Sequence, residues 1–166
     1  LAGAGGYLLF DVVRLRVDAW LNPWLDPSGR SYQIVQSLIA VANGGIFGRG
    51  PGLGNPTVVP VAHSDFVFAA IAEETGLLGA LGLFVLLGLL LHRGLHIALS
   101  ARESFHRYLA AGLTTNMLAQ SVLIIGGNLR LLPLTGVTLP FLSYGGSSLL
   151  VSFLAIMLLF HIDRSN

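Results

Sequence analysis

The chain has 166 residues, of which 54% are hydrophobic and 10% are charged, against about 25% charged residues in a typical soluble domain. The net charge is +1 and no basic patch is present, which argues against a nucleic-acid partner. Cysteine is absent, so neither a disulfide framework nor a cysteine metal site can be built. With a mean hydropathy of +0.76, the composition indicates an integral membrane protein.

The first residues are apolar and carry no charged region of the kind that begins a signal peptide. We interpret residues 1–13 as the end of a membrane span, so the sequence is expected to be a fragment of a longer polytopic protein. Arg14 and Arg16 then mark the exit into water. Trp20 and Trp24 follow, and tryptophan favours the membrane interface.

Residues 31–43 have the spacing of a short amphipathic helix, with Ser31 as its N-cap and 43–45 as its end. It is too short to span a bilayer, so we expect it at the interface or packed under the loop. Its predicted apolar face is Ile34, Val35, Leu38, Ile39 and Ala42, and its opposite face is Gln33, Gln36, Ser37 and Ala40. A glycine- and proline-rich segment follows up to residue 60.

Three apolar stretches then predict membrane spans at 66–91, 108–127 and 146–162. The short loop 92–107 holds three arginines, which favours the cytoplasmic side for it. The loops 14–65 and 128–145 are then extracytoplasmic. The predicted fold is therefore an all-α polytopic membrane protein: the end of one span, a long extracytoplasmic loop with an interfacial helix, and three transmembrane helices.

Asp65 stands where the polar loop meets the first complete span. Its carboxylate can be interpreted as a helix N-cap, or as a general base at the membrane surface. The two roles are compatible, because a cap also fixes the side chain. His63 is two residues away and can orient Asp65 or help to hold a cation, although a loop histidine is more often polar surface.

Four polar residues lie inside the predicted spans. Glu73 and Glu74 are acidic groups within an apolar stretch, where charge is costly and functional roles are common. Asn116 and Gln120 share a face of the next span, which suggests contact with other helices. One interpretation is that the two glutamates belong to a polar path towards an active site. The structural alternative is that one glutamate forms a hydrogen bond with Asn116 or Gln120.

The loop before the last span is rich in glycine, serine and proline. Such a composition at membrane depth predicts a re-entrant or broken segment that lines a cavity walled by protein. The same composition would fit a transporter equally well.

Five motifs occur together in the chain. They are YQIVQS at 32–37, GGIFGRG at 44–50, HSDFVF at 63–68, EETGLLG at 73–79 and LPFLSYGGSS at 139–148. In this order they resemble the SEDS proteins (shape, elongation, division and sporulation; the RodA, FtsW and SpoVE type). The resemblance covers nearly the whole chain and implies that residues 1–166 are the C-terminal half of one SEDS membrane domain. One departure is Val61, where many members carry glutamate.

The resemblance implies a peptidoglycan glycosyltransferase that polymerises lipid II on the outer face of the bacterial cytoplasmic membrane, among membrane lipids and beside a class B penicillin-binding protein. It implies that Asp65 is catalytic and activates the 4-hydroxyl of the acceptor. Undecaprenyl pyrophosphate then leaves, with help from Arg49, Arg130 or a divalent cation such as Mg²⁺ or Mn²⁺. No residue is assigned as a metal ligand. The candidates for substrate or pyrophosphate binding are His63, Arg49, Gln33, Gln36, Arg130, Ser143, Tyr144 and Ser147.

Two other functions fit the hydrophobic pattern. One is a flippase for the same lipid-linked precursor, and the other is a non-catalytic scaffold for wall synthases. A flippase should tolerate the loss of the Asp65 carboxylate, whereas a glycosyltransferase should not. A scaffold would depend more on Asn116, Gln120 and the glycine-rich surfaces.

Overall fold

The computed structural model describes residues 11–29, 31–54 and 65–165. Of the predicted span end at 1–13, residues 1–10 lie outside these ranges. The described residues are all-helical, without a β-strand among them, which confirms the predicted fold class. The helices are α1 (Asp11–Leu21), a 3-10 turn (Pro23–Leu25), α2 (Tyr32–Gly44), α3 (Val67–Ser100), α4 (Ser104–Asn128) and α5 (Gly146–Ser165).

Helices α3, α4 and α5 are each long and apolar enough to cross a membrane, with mean hydropathies of 2.1, 1.4 and 1.8. The chain is therefore a multi-pass membrane protein. The helices extend further than the apolar stretches do, so only residues 101–103 separate α3 from α4, where a loop over 92–107 was predicted. Hydropathy marks the end of the apolar layer, whereas the helical hydrogen bonds continue past it.

The three spans pack most closely at the end of the bundle that holds the 101–103 turn. There Ala110 of α4 is completely buried against α3 and α5 in a cluster of small and branched apolar residues. The buried members of this apolar-end cluster are Ile97, Ala98, Ala101, Ala110, Leu159 and Ile162. Because lipid is as apolar as these side chains, close packing is what favours their contact.

Helix α3 is interrupted within its apolar stretch. Gly76 has φ 67° and ψ −162°, which is not a helical conformation and is open to glycine because it lacks a Cβ. It follows Val67 by nine residues, or about 14 Å along a helix axis. The break therefore lies inside the span and not at its end.

The short helix α2 runs beside the first part of α3. Ala40 packs with Phe66 and Ala69. Gly44, one turn further along α2, lies against the backbone of Ala72. The contacts advance in the same direction along both helices, so α2 is parallel to the beginning of α3 and does not lie across its end.

The predicted faces of α2 are only partly right. Ser37 and Ala40 are buried, although the spacing assigned them to the polar face, while Ile39 and Ala42 of the predicted apolar face are exposed. Small side chains allow two helix backbones to approach closely, and here that requirement outweighs hydrophobicity. Ser31 is the N-cap residue as predicted, but its side chain makes no capping hydrogen bond.

Candidate active site

Asp65 lies immediately before α3 and is held in place through its backbone. The Nδ2 of Asn128, at the end of α4, donates to the Asp65 carbonyl at 2.7 Å and to the Ile124 carbonyl at 2.9 Å. The Oδ1 of Asn128 accepts from the Ala69 N–H at 3.1 Å. An amide from another helix thus supplies the capping contact that was considered for Asp65, and the N-cap residue is Phe66.

This arrangement leaves the Asp65 carboxylate available. Asp65 is half-buried, and its carboxylate has no hydrogen bond or ion pair with any other described residue. Asn128, in contrast, is completely buried. Its backbone carbonyl also accepts a hydrogen bond from the Ser37 hydroxyl of α2, at 3.0 Å. The backbone at Asp65 is therefore fixed by a side chain of α4, whereas its carboxylate has no such contact within residues 11–29, 31–54 and 65–165.

A guanidinium group lies near this carboxylate. A Cβ built on Gly136 would lie 3.7 Å from Oδ2 of Asp65 and 3.7 Å from both terminal nitrogens of Arg16. Since both groups lie 3.7 Å from the same point, Oδ2 of Asp65 and the terminal nitrogens of Arg16 are separated by at most twice that distance. Nη1 of Arg16 donates to the carbonyls of Leu134 and Thr135, at 3.3 and 3.0 Å, which holds the guanidinium at this position.

Arg130, a candidate for the pyrophosphate, binds the end of α1. Its Nε donates to the Trp20 carbonyl at 2.8 Å and its Nη2 to the Leu21 carbonyl at 2.7 Å. The Trp20 Nε1 donates back to the Arg130 carbonyl at 3.0 Å. Arg130 therefore joins α1 to the segment after α4, and its role towards a substrate stays a prediction.

Arg49 and Glu73 form an ion pair, with Arg49 Nη1 3.2 Å from Glu73 Oε1. The Glu73 side chain is only 4% exposed, whereas that of Arg49 is 45% exposed. The ion pair gives Glu73 a partner in the loop after α2, and a hydrogen bond from one glutamate to Asn116 or Gln120 stays a prediction. Glu74 is half-buried and lies beside Gly54.

Asn116 and Gln120 line a cavity between α4 and α5 of about 290 Å³. Its other polar lining consists of hydroxyl groups from the segment before α5 and from α5 itself: Thr138, Ser147, Ser148 and Ser152. Thr138 and Ser148 share a hydrogen bond of 2.6 Å. Thr138 is the lining residue that precedes α5, and the prediction of a re-entrant segment that lines a protein-walled cavity stays a prediction.

The remaining candidates occupy different environments. Ser143 is buried, and its hydroxyl accepts from the Leu139 N–H at 2.8 Å, which is a turn contact. Tyr144 is 84% exposed, while Gln33 and Gln36 are half-buried on α2. His63 lies outside the described residues. Binding roles for all of them stay predictions.

The described residues contain no group of three or more histidine, aspartate or glutamate side chains that could hold a metal ion. Among the described residues, the charged group near the Asp65 carboxylate is the Arg16 guanidinium and not a second carboxylate. The described donors therefore do not form a cation site, and a role for Mg²⁺ or Mn²⁺ stays a prediction.

A sequence model of the family described as "cell cycle protein", which comprises the FtsW, RodA and SpoVE proteins, matches residues 5–166. The chain belongs to this family. The resemblance to the SEDS proteins is thereby confirmed.

Individual SEDS relatives agree over nearly the whole chain. The peptidoglycan glycosyltransferase RodA of Mycobacterium tuberculosis is 49% identical over 95% of this chain and 34% of its own length. Stage V sporulation protein E of Bacillus subtilis is 41% identical over 99% of this chain and 46% of its own. The probable peptidoglycan glycosyltransferase FtsW of Geobacter metallireducens is 42% identical, over 92% and 41%. The chain thus spans between a third and a half of these relatives.

A solved structure of a peptidoglycan synthase complex, described as coordinating polymerization and crosslinking, contains a similar chain. The two are 33% identical, with a TM-score of 0.74 over 95% of this chain and 43% of the other. The helical arrangement is therefore that of a SEDS protein.

Sequence reasoning missed two residues of this SEDS site. Arg16 was interpreted only as the end of a span, and Asn128 only as the start of a loop. Their partners are more than fifty residues away in sequence, so no local pattern reveals them. An arginine next to apolar residues and an asparagine at a helix end were the only available signals.

Proposed function

We propose that the full-length protein is a peptidoglycan glycosyltransferase that polymerises lipid II into glycan strands. The observation that carries the proposal is the half-buried Asp65 carboxylate, which has no partner among the described residues, beside the Arg16 guanidinium. The names of the RodA and FtsW relatives support the same activity.

In the proposed reaction, Asp65 acts as the general base. Its carboxylate accepts the proton of the acceptor's sugar hydroxyl, and that oxygen forms a bond to the anomeric carbon of the donor. The bond from the anomeric carbon to the pyrophosphate oxygen breaks, and undecaprenyl pyrophosphate leaves with the electron pair. Asp65 ends the step protonated and must release that proton before the next cycle.

The pyrophosphate gains negative charge as it leaves, and a fixed cation stabilises that charge. Arg16 is the guanidinium that the structure brings to Asp65, so we assign this role to it ahead of Arg49 and Arg130. Arg49 has its own carboxylate partner. In Arg130 both Nε and Nη2 donate to backbone carbonyls, whereas in Arg16 Nη1 alone does so among the described residues.

The proposal places the Asp65 end of the bundle outside the cytoplasm, because the arginine-bearing opposite end favours the inside. The similar chain in the synthase complex supports a synthase partner, for which we propose a class B penicillin-binding protein. The divalent cation stays a prediction, with no step assigned to it.

The test uses full-length protein with its partner, comparing wild type, Asp65→Asn and the control Asp18→Asn, which alters an exposed aspartate of α1. Each is given labelled lipid II, and the products are separated on a gel. We expect long strands from wild type and the control, and none from Asp65→Asn at equal amounts of folded protein. Equal strand formation by Asp65→Asn would contradict the proposal.

A flippase for the lipid-linked precursor is the second candidate, and the interruption of α3 at Gly76 favours it. Broken spans are common where transporters line a binding site. The same experiment separates the two functions, because a flippase would bind lipid II without making polymer in wild type or in either variant.

A further inference from the structure

The ion pair between Arg49 and Glu73 lies at the interruption of α3. Glu73 is nearly completely buried within the apolar span. Removing one member of a buried ion pair is destabilising, so the contact with Arg49 contributes to holding the Glu73 side chain at this buried position. The mechanism above uses neither residue, which leaves the purpose of the pair open.

The backbone around the pair joins two distant segments. The interruption at Gly76 frees groups that an intact helix would pair, and the loop after α2 bonds to them. Leu77 and Leu78 donate to the carbonyls of Gly45 and Ile46, at 2.9 and 3.2 Å. In return, the Arg49 and Gly50 N–H groups donate to the carbonyls of Glu73 and Glu74, both at 3.0 Å. Irregular backbone at membrane depth is tolerated when it is satisfied by protein in this way.

At two glycines, the backbones of the loop and of α3 approach too closely for a side chain to fit between them. A Cβ on Gly48 would collide with the backbone of Glu74 and Thr75, and a Cβ on Gly76 would collide with the backbone of Gly48. Both glycines also have φ values in the left-handed region, +79° and +67°. The close approach of the two backbones therefore requires these glycines, and Arg49 and Glu73 add the polar side-chain contact that joins the segments.

The same loop continues towards the proposed base. Gly54 lies over the glutamates, since a Cβ on it would be 3.4 Å from Oε2 of Glu73 and 3.0 Å from Cγ of Glu74. Glu73 follows Asp65 by eight residues, and the first turns of α3 join the two. The loop 45–54 therefore lies against the part of α3 that begins beside Asp65.

We infer that Glu73 is a positioning residue, which acts through Arg49 to hold the loop 45–54 in the interruption of α3. It does not exchange protons with the substrate. Its contribution to polymerisation, which rests on the proposed function, comes through the first turns of α3, which join Glu73 to Asp65.

The experiment uses the full-length protein with its partner in four forms: wild type, Glu73→Gln, Arg49→Gln and the double variant. Arg49→Gln removes the ionic partner of the buried Glu73, and Glu73→Gln removes that of the partly exposed Arg49, so we expect polymerisation of lipid II to fall by about tenfold or more. In the double variant two neutral amides can hydrogen-bond, so most of the activity should return. A proton-transfer role for Glu73 requires its carboxylate, so a double variant as inactive as Glu73→Gln would overturn the inference.

A second measurement does not depend on activity. Leu53→Cys places a thiol at an exposed loop position, in full-length protein from which any other cysteines have been removed, and its rate of labelling by a maleimide is measured. We expect faster labelling with Glu73→Gln and a rate close to wild type in the double variant. Equal rates in all forms would overturn the inference, even if wild type proves to make no polymer.

Asp163→Asn is the matched control. Its ion pair with Arg93, at 3.7 Å, joins α5 to α3 at the opposite end of the bundle, and the Arg93 and Asp163 side chains are 68% and 36% exposed. Exposed pairs contribute little, so both measurements should remain at the wild-type value. A change as large as that of Glu73→Gln would show that loss of any ion pair disturbs the bundle, and would overturn the specific role of Glu73.

Discussion

The two ends of the helix bundle are held together in different ways. At the end with the 101–103 turn, the buried contacts of α3, α4 and α5 are made by small and branched apolar side chains around Ala110. At the Asp65 end, a buried amide and two arginines bond to backbone groups of distant segments. Apolar packing is tolerant of substitutions that keep volume, whereas each polar contact fixes one direction and one distance. The protein places directional contacts where a carboxylate must be positioned.

Asn128 should give the largest effect, because it joins α4 to the backbone at the start of α3. Asn128→Ala removes three side-chain hydrogen bonds and leaves buried backbone groups of Asp65 and Ala69 unpaired. Each unsatisfied buried group costs about 1–3 kcal/mol, so we expect a loss of about 3 kcal/mol or more in stability. Thermal unfolding of the purified full-length protein in detergent measures this loss, and polymerisation should fall with it.

Asn116→Ala is the control for Asn128→Ala, because Asn116 is an exposed asparagine of the same helix and lines the cavity beside α5. Its unfolding temperature should remain close to that of wild type. If the two variants unfolded at the same temperature, the polar end would not depend on the Asn128 contacts, and the contrast between the two ends would fail.

Ile162→Ala tests the apolar-end cluster and should give the second-largest effect. Ile162 is 1% exposed, and its truncation leaves a cavity against α3 and α4. We expect a loss of about 2 kcal/mol in stability, with polymerisation per folded molecule unchanged because Asp65 is at the other end. Leu158→Ala, which alters a more exposed side chain of α5, should cost less. A fall in activity without a fall in stability would show that this end also positions the site.

The sequence predicted the apolar spans better than the polar contacts at the Asp65 end. The three spans and the position of Asp65 could be predicted, because long apolar stretches and an acidic residue at their edge are local signals. The partners of Glu73 and Asp65 could not, since hydropathy shows that a group is buried but not which distant segment meets it. The buried face of α2 was partly wrong for a related reason: Ser37 and Ala40 pack inward because they are small.

Arg16→Gln should give the smallest of these effects, and it separates a chemical role of the polar end from a structural one. The Arg16 hydrogen bonds are exposed, so their loss should change stability little. We expect polymerisation to fall by about tenfold, or about 1.4 kcal/mol of transition-state stabilisation, because the cation beside Asp65 is lost. Arg16→Lys keeps the charge and should retain more activity. Arg14→Gln, which removes an exposed arginine from the same helix, should behave as wild type. Equal activity of Arg16→Gln and Arg14→Gln would show that Arg16 only holds the segment after α4, and the charge for the leaving group would then have to come from another part of the full-length protein.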